Sequence, residues 1–145
     1  KEVVALAVFM PVVAGMGGNA ATQTLTVTVR GIALGELTWG NSRKALIKEV
    51  LVGLGNGLIL GFVAAGVAWA MAGDPVLGLI LGLAMVLNMV VAATAGTLIP
   101  IVLRALKVDP ALASSVFITT LTDIFGFLVF LGLGAAFLDY LHKAV

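Results

Sequence analysis

The chain has 145 residues, of which 61% are hydrophobic and 10% are charged, whereas a soluble domain has about 45–50% apolar and about 25% charged residues. Eight basic and seven acidic residues leave a net charge of +1 without a basic cluster, which argues against a nucleic-acid partner. With no cysteine and one histidine, His142, the chain lacks the residues of disulfide frameworks, thiolate metal sites and histidine-based active sites, so we expect no enzyme.

The charges lie in short intervals between long apolar runs, and this distribution predicts an all-α polytopic membrane protein. A hydrocarbon core of about 30 Å requires roughly 20 helical residues for each crossing. We therefore predict a bundle of four transmembrane helices that forms one ion-conducting domain over residues 1–145. The predicted spans cover about residues 3–29, 45–71, 76–103 and 111–141.

The first span is the least regular, because it contains Pro11, several glycines and two amide side chains. We expect its helix to be broken or locally unwound near Gly15–Asn19. Its small and polar residues recur at spacings of three and four, which places them on one face of the span. This first polar stripe comprises Gly15, Gly18, Asn19, Thr22, Gln23 and Thr26.

The second and third spans carry glycines at spacings of four, a pattern typical of close packing between membrane helices. These glycines are Gly53, Gly57 and Gly61 on the second span, and Gly78 and Gly82 on the third. Asn56 and Asn88 either bond between helices or line a pore, and bonding between packed helices is the favoured interpretation. Trp39, Trp69 and Tyr140 are interpreted as anchors at the membrane interfaces.

The fourth span carries a carboxylate near the bilayer midplane. Asp109 is placed as the N-cap and Pro110 as the first helical residue, and Asp123 follows Pro110 by 13 residues, or about 20 Å of helix. A lone charge at this depth costs about 2.5–3.5 kcal/mol, so Asp123 is expected to face a partner or a water-filled cavity. The second polar stripe comprises Ser115, Thr119, Thr122, Asp123 and Gly126.

Two alternatives stand beside this interpretation. Asp123 is protonated and bonded to a neighbouring helix in the first. In the second, the threonine and serine hydroxyls bond only the backbone of their own helices.

The distribution of Lys and Arg predicts the side of the membrane on which each loop lies. Six basic residues fall on one side, against Lys1 and Lys143 on the other. The six are Arg30, Arg43, Lys44, Lys48, Arg104 and Lys107. Loops 30–48 and 104–110 are expected in the cytoplasm of a multi-pass plasma membrane protein, with both termini of this chain outside. Because no signal peptide precedes this arrangement, we expect that an upstream segment, most simply one more helix, has been removed.

The two polar stripes and the carboxylate favour a path for a hard cation, because the available ligands are carboxylate, hydroxyl, amide and carbonyl oxygens. Mg²⁺, Ca²⁺, Na⁺ and K⁺ all suit such ligands. One carboxylate for each chain is a weak site for a divalent ion, and a two-fold dimer would bring two copies of Asp123 to one axis.

Three segments closely resemble the transmembrane domain of the MgtE family of magnesium channels. They are PVVAGMGGNAATQT at 11–24, KVDPALASS at 107–115 and TTLTDIFGF at 119–127. The resemblance implies a homodimer of five-helix protomers with a pore along the dimer axis, in which the four spans are the family's second to fifth helices. It also implies cytosolic N and CBS domains in the parent protein that close the pore when Mg²⁺ is abundant.

The resemblance also implies roles for individual residues. Asp123 matches the pore carboxylate that holds a hydrated Mg²⁺, and Asp109 matches an acidic position near the cytoplasmic mouth. Gly18, Asn19 and Gln23 match the glycine-amide stretch of the pore-side helix. We therefore predict channel-like conduction of Mg²⁺ without an organic cofactor, with membrane lipid and a second copy of the chain as partners.

Two other functions stay open on the sequence. One is a proton- or sodium-coupled carrier of divalent cations in which Asp123 titrates. The other is a non-conducting membrane scaffold whose glycine rows recruit a partner helix.

Overall fold

The computed structural model describes residues 2–137. Four α-helices account for most of this range: α1 (Glu2–Ala33), α2 (Ser42–Ala72), α3 (Pro75–Ala105) and α4 (Ser115–Ala136). A single 3-10 turn, Pro110–Leu112, precedes α4. No strand occurs within 2–137, so the all-α prediction is confirmed for that range. Tyr140, His142 and the predicted end of the fourth span lie outside the described residues.

A tight turn joins α2 to α3 and makes them antiparallel neighbours. Gly73 ends α2 in the left-handed region, at φ +74°, and its N–H donates to the Trp69 carbonyl, an ending that glycine tolerates without a Cβ clash. Asp74 then caps α3, because its side chain accepts a 2.8 Å hydrogen bond from the Val76 N–H, and Pro75 occupies the first helical position.

The central helix of the bundle is α3, which contacts the three other helices. Over its apolar stretch 56% of the residues are buried, against 17% in α2 and 22% in α4. On one side α3 packs along α2, and on the other it packs against α1 and α4, which also contact each other. Since α1 and α2 touch only slightly, a groove runs between them over the surface of α3.

Glycines form the contact surface between α2 and α3, which confirms the packing predicted for them. A Cβ added at Gly61 would lie 2.8 Å from the Gly82 carbonyl oxygen, and one at Gly57 would lie 3.0 Å from the Val86 Cα. Gly96 plays the same part between α3 and α1, where a Cβ would lie 2.8 Å from the Ala21 carbonyl oxygen. The backbones of these helices therefore approach as closely as small residues allow.

Three helices among residues 2–137 are long and apolar enough to cross a membrane: α2, α3 and α4. The 32-residue α1 carries Asn19 and Gln23 in its middle. Its crossing of the membrane stays a prediction, as do the number of spans and their orientation.

The two loops predicted to face the cytoplasm lie at the same end of the bundle. Arg104, at the end of α3, donates a 2.6 Å hydrogen bond from Nη1 to the Leu37 carbonyl in the loop between α1 and α2. The same guanidinium lies 5.4 Å from the centre of the Trp39 ring, within the range of a cation–π contact. Trp39, predicted as an interface anchor, thus also fastens its loop to α3.

The predicted break in the first span is wrong. The α1 helix continues without interruption through Pro11 and through residues 15–19. Glycine is a weak helix former, but Gly17 and Gly18 are buried against α3 and α4. Close packing at these positions supplies the stabilisation that their helix propensity lacks.

The predicted start of the fourth helix is also corrected. Asp109 does act as a cap, but of the 3-10 turn, where its Oδ1 accepts a 2.9 Å hydrogen bond from the Ala111 N–H. The backbone leaves helical geometry at Ala113, where ψ is 98°. The α4 helix starts only at Ser115, with the Ser114 hydroxyl accepting a hydrogen bond from the Phe117 N–H.

Substitution of Gly61 by alanine tests the glycine contact between α2 and α3. Because the added methyl would meet backbone atoms of α3, we expect Gly61→Ala to lower the free energy of unfolding by about 1–3 kcal/mol. Gly66→Ala on the same helix is the control, since nothing lies within 4 Å of its Cβ position. Thermal unfolding in detergent, followed by circular dichroism, measures both, and equal effects of the two substitutions would contradict the packing described.

Candidate ion pathway

A buried amide joins α1, α3 and α4 near the middle of the bundle. The Asn88 side chain on α3 is fully buried, and its Nδ2 donates a 2.9 Å hydrogen bond to the Val13 carbonyl of α1. A Cβ on Gly126 of α4 would lie 2.8 Å from that nitrogen, and one on Gly17 of α1 would overlap the amide. Asn88 is therefore an amide between helices, which confirms the favoured interpretation. Its Oδ1 is buried without a hydrogen-bond partner among residues 2–137.

The two predicted polar stripes meet where α1 touches α4. A Cβ on Gly18 would lie 3.2 Å from Thr119 Cγ2 and 3.8 Å from Thr122 Oγ1. Thr122 is fully buried and donates to the Thr119 carbonyl at 2.9 Å, while the Thr119 hydroxyl donates to the Val116 carbonyl at 3.1 Å. These hydroxyls bond their own helix, as the alternative interpretation of serine and threonine holds.

Asp123 lies one turn beyond Thr119 on α4 and is half-buried. Its carboxylate forms no hydrogen bond or ion pair with another residue in 2–137. The chain therefore offers no neighbouring helix as a partner for this group over the described range. At the mid-membrane depth that the sequence predicts for it, such a carboxylate requires water, an ion or another chain beside it.

The remaining members of the two stripes divide between the surface and the interior. Gly15, Asn19, Gln23, Thr26 and Ser115 are exposed on a single copy of the chain, and Thr22 is half-buried. Gly18, Thr122 and Gly126 are buried inside the bundle. Most of the predicted polar face is thus on the surface of a single copy of the chain. Its buried members lie behind that surface and set the spacing of α1 and α4.

The carboxylate predicted for the loop end, Asp109, is exposed and caps the 3-10 turn. From Ser115, where α4 starts, to Asp123 the helix rises by about 12 Å. The two predicted metal-binding carboxylates therefore lie at different depths rather than in one cluster. Within 2–137 no three His, Cys, Asp or Glu side chains form a group that would hold a metal ion.

A polar feature that the sequence analysis missed is the groove between α1 and α2. Two adjoining cavities of about 310 and 190 Å³ share the side chains of Gln23 and Asn56; Asn19 lines the first, and Glu49 the second. The signal was present in α2, where Glu49, Gly53 and Asn56 follow the spacing of one helix face. Glu49 lies inside the predicted second span, and the sequence analysis gives it no role.

Comparison with known proteins assigns the architecture to a family. The sequence model of the MgtE family, described as a divalent cation transporter, matches residues 10–133. The magnesium transporter MgtE of Bacillus subtilis is 38% identical over 141 residues, which cover 97% of this chain and 31% of that protein. Those of Enterococcus faecalis and Thermus thermophilus are 37% and 38% identical over 140 residues, again 31% of each protein. The chain thus spans about a third of the length of these curated relatives.

Replacement of Asn88 tests the junction of the three helices. We expect Asn88→Ala to lower the free energy of unfolding by about 1–2 kcal/mol, because it removes the bond to the Val13 carbonyl and opens a cavity. Asn56→Ala is the matched control, since Asn56 is exposed and forms no hydrogen bond within 2–137. Denaturant unfolding in mixed micelles compares the two variants; a loss at Asn56 as large as that at Asn88 would overturn the assignment.

Proposed function

The chain belongs to the MgtE family, and from that premise we propose that it conducts hydrated Mg²⁺ across the plasma membrane through a pore between two copies of itself. One observation carries the proposal. Most of the polar stripe on α1 is exposed, and Asp123 is half-buried without a hydrogen-bond or ion-pair partner in 2–137. Lipid does not solvate such groups, whereas a water-filled path on a two-fold axis does.

In this proposal the exposed and the buried members of the two stripes have different roles. The pore surface is formed by Gly15, Asn19, Thr22, Gln23, Thr26, Ser115, Thr119 and Asp123. The buried members, Gly18, Thr122 and Gly126, stand behind it and hold α1 and α4 at contact distance. Asp109 lies at the cytoplasmic mouth, where its carboxylate attracts the cation before or after passage.

The chemistry of the side chains suits a hydrated ion. Mg²⁺ gives up its water reluctantly, so a wide ring of hydroxyl, amide and carboxylate oxygens holds the ion through its water shell. A two-fold axis would bring two Asp123 carboxylates together, and their two negative charges would balance the two positive charges of the ion. This arrangement explains how a chain whose residues 2–137 hold no cluster of three acidic side chains serves a divalent cation.

Conduction in this proposal is passive. A divalent ion gains about 4.6 kcal/mol on crossing 100 mV in the inward direction, at about 2.3 kcal/mol for each charge. No energy-coupling site is therefore required of the chain. Closing of the pore is assigned to cytosolic regulatory domains of the parent protein, on the side of loops 30–48 and 104–110.

Substitution of Asp123 by asparagine tests the pore carboxylate. We expect Asp123→Asn to weaken Mg²⁺ binding and to lower Mg²⁺ flux by about tenfold or more, because each chain loses the negative charge that faces the ion at mid-membrane depth. Binding is measured by NMR titration in a membrane mimetic and flux by an Mg²⁺-sensitive dye in liposomes held at a potassium diffusion potential.

The control is Glu36→Gln, which removes the same charge from an exposed loop residue. Binding and conduction at the native level in Asp123→Asn would contradict the proposal. Uphill Mg²⁺ flux under an imposed proton or sodium gradient would identify the coupled carrier instead, and a folded chain without ion binding would identify the scaffold.

A further inference from the structure

We propose that Glu49, together with the amides of Gln23 and Asn56, forms a second binding site for a hydrated divalent cation in the groove between α1 and α2. The inference rests on the proposed function only in taking a divalent cation as the ion. It adds a carboxylate that neither the polar stripes nor the family resemblance assigns.

The groove is lined by polar side chains from Asn19 toward the loop that joins α1 to α2. Asn19, Gln23 and Asn56 line the cavity of about 310 Å³ near the middle of α1 and α2. The adjoining cavity of about 190 Å³ adds Thr24 and Glu49. A third cavity, of about 240 Å³, again includes Glu49 and opens toward the loop end of the bundle. The first two cavities share Gln23 and Asn56, and the last two share Val27 and Glu49, so the three adjoin one another along the groove.

Glu49 is a half-buried carboxylate without a partner in 2–137. It follows the start of α2 at Ser42 by seven residues, or about 10 Å of helix, and it is half-buried. It forms no hydrogen bond or ion pair with a residue in 2–137. The basic residues of the adjoining cavity, Arg30 and Lys48, also form no ion pair within that range. The negative charge is thus left for a mobile cation.

The groove offers the ligands and the space that a hydrated ion requires. Carboxylate, amide and hydroxyl oxygens are preferred by hard divalent cations and by their bound water. Six waters occupy roughly 180 Å³, at about 30 Å³ each. Each of the two adjoining cavities, of about 190 and 310 Å³, exceeds this volume. The ion would therefore bind with its water shell, with Glu49 as the charged ligand of that shell.

The carboxylate of this site is separate from Asp123, although the site shares Gln23 with the edge of the proposed pore surface. Gly18 marks the contact with α4 near Asp123, whereas Val27 shares a cavity with Glu49. These two residues of α1 are nine positions apart, which corresponds to about 14 Å along the helix axis. Gly18 and Gln23 also lie about 140° apart around α1, at 100° for each residue. Because Mn²⁺ broadens signals over a comparable distance, the two sites are distinguished by substitution of each carboxylate in turn.

Mn²⁺ is the probe, because it prefers the same oxygen ligands as Mg²⁺ and broadens NMR signals of nearby residues. The purified chain in a membrane mimetic is titrated with Mn²⁺, and Mg²⁺ is then added as competitor. We expect the broadening to be strongest in two sets of signals, one around Gln23, Glu49 and Asn56, the other around Thr119 and Asp123. Glu49→Gln should weaken binding at the first set by about tenfold or more and leave the second set, while Asp123→Asn should do the reverse.

Two further variants guard against misfolding. Asp74→Asn removes the same charge at the turn between α2 and α3, where asparagine still caps the helix, and should leave both sets. Asn56→Asp adds a carboxylate to the groove and should tighten binding there. Broadening around Asp123 alone, unchanged in Glu49→Gln, would overturn the second site and leave the proposed pore standing. Broadening in the groove alone would support the second site against the pore, and absence of both in a folded sample would overturn both.

Discussion

Hydrocarbon cannot solvate a carboxylate or an amide, and the rest of this structure depends on that constraint. The chain satisfies it for one end of Asn88, whose amide lies between three helices with Nδ2 bonded to the Val13 carbonyl, while Oδ1 has no partner in 2–137. It does not satisfy it for Asp123 or Glu49, which have no partner in 2–137. The polar groups thus divide into those that hold the bundle together and those that require water, an ion or a second copy.

Glycines make possible the close helix contacts on both sides of α3. On the α2 side the helices approach until a Cβ at Gly61 would meet the Gly82 carbonyl oxygen. On the α1 side, Gly17 and Gly126 leave the space that the Asn88 amide fills. Small residues at helix contacts are the common means of packing in lipid, where the hydrophobic effect gives no drive for association. They also fix how far the polar face of α1 stands from Asp123.

Much of this fold follows from the sequence, since long apolar runs, the Asp74-Pro75 cap and glycine spacing need only local rules. The predicted break at Gly15–Asn19 failed because burial of Gly17 and Gly18 depends on α3 and α4, which no local rule describes. Thr122 and Gly126 belong to the predicted stripe yet turn inward, since helix periodicity gives a face without saying what covers it. Glu49 was missed for the same reason: its surroundings come from α1, not from its own span.

In the proposed dimer the open polar face of α1 meets the same face of a second copy. The chain has no cysteine, so single cysteines can be introduced without background and joined by a short bismaleimide in reconstituted membranes. Asn19→Cys, on the polar face, should give covalent dimers, whereas Phe62→Cys, on α2 and 83% exposed, should face lipid and stay monomeric. Dimers formed through position 62 and none through position 19 would contradict the account.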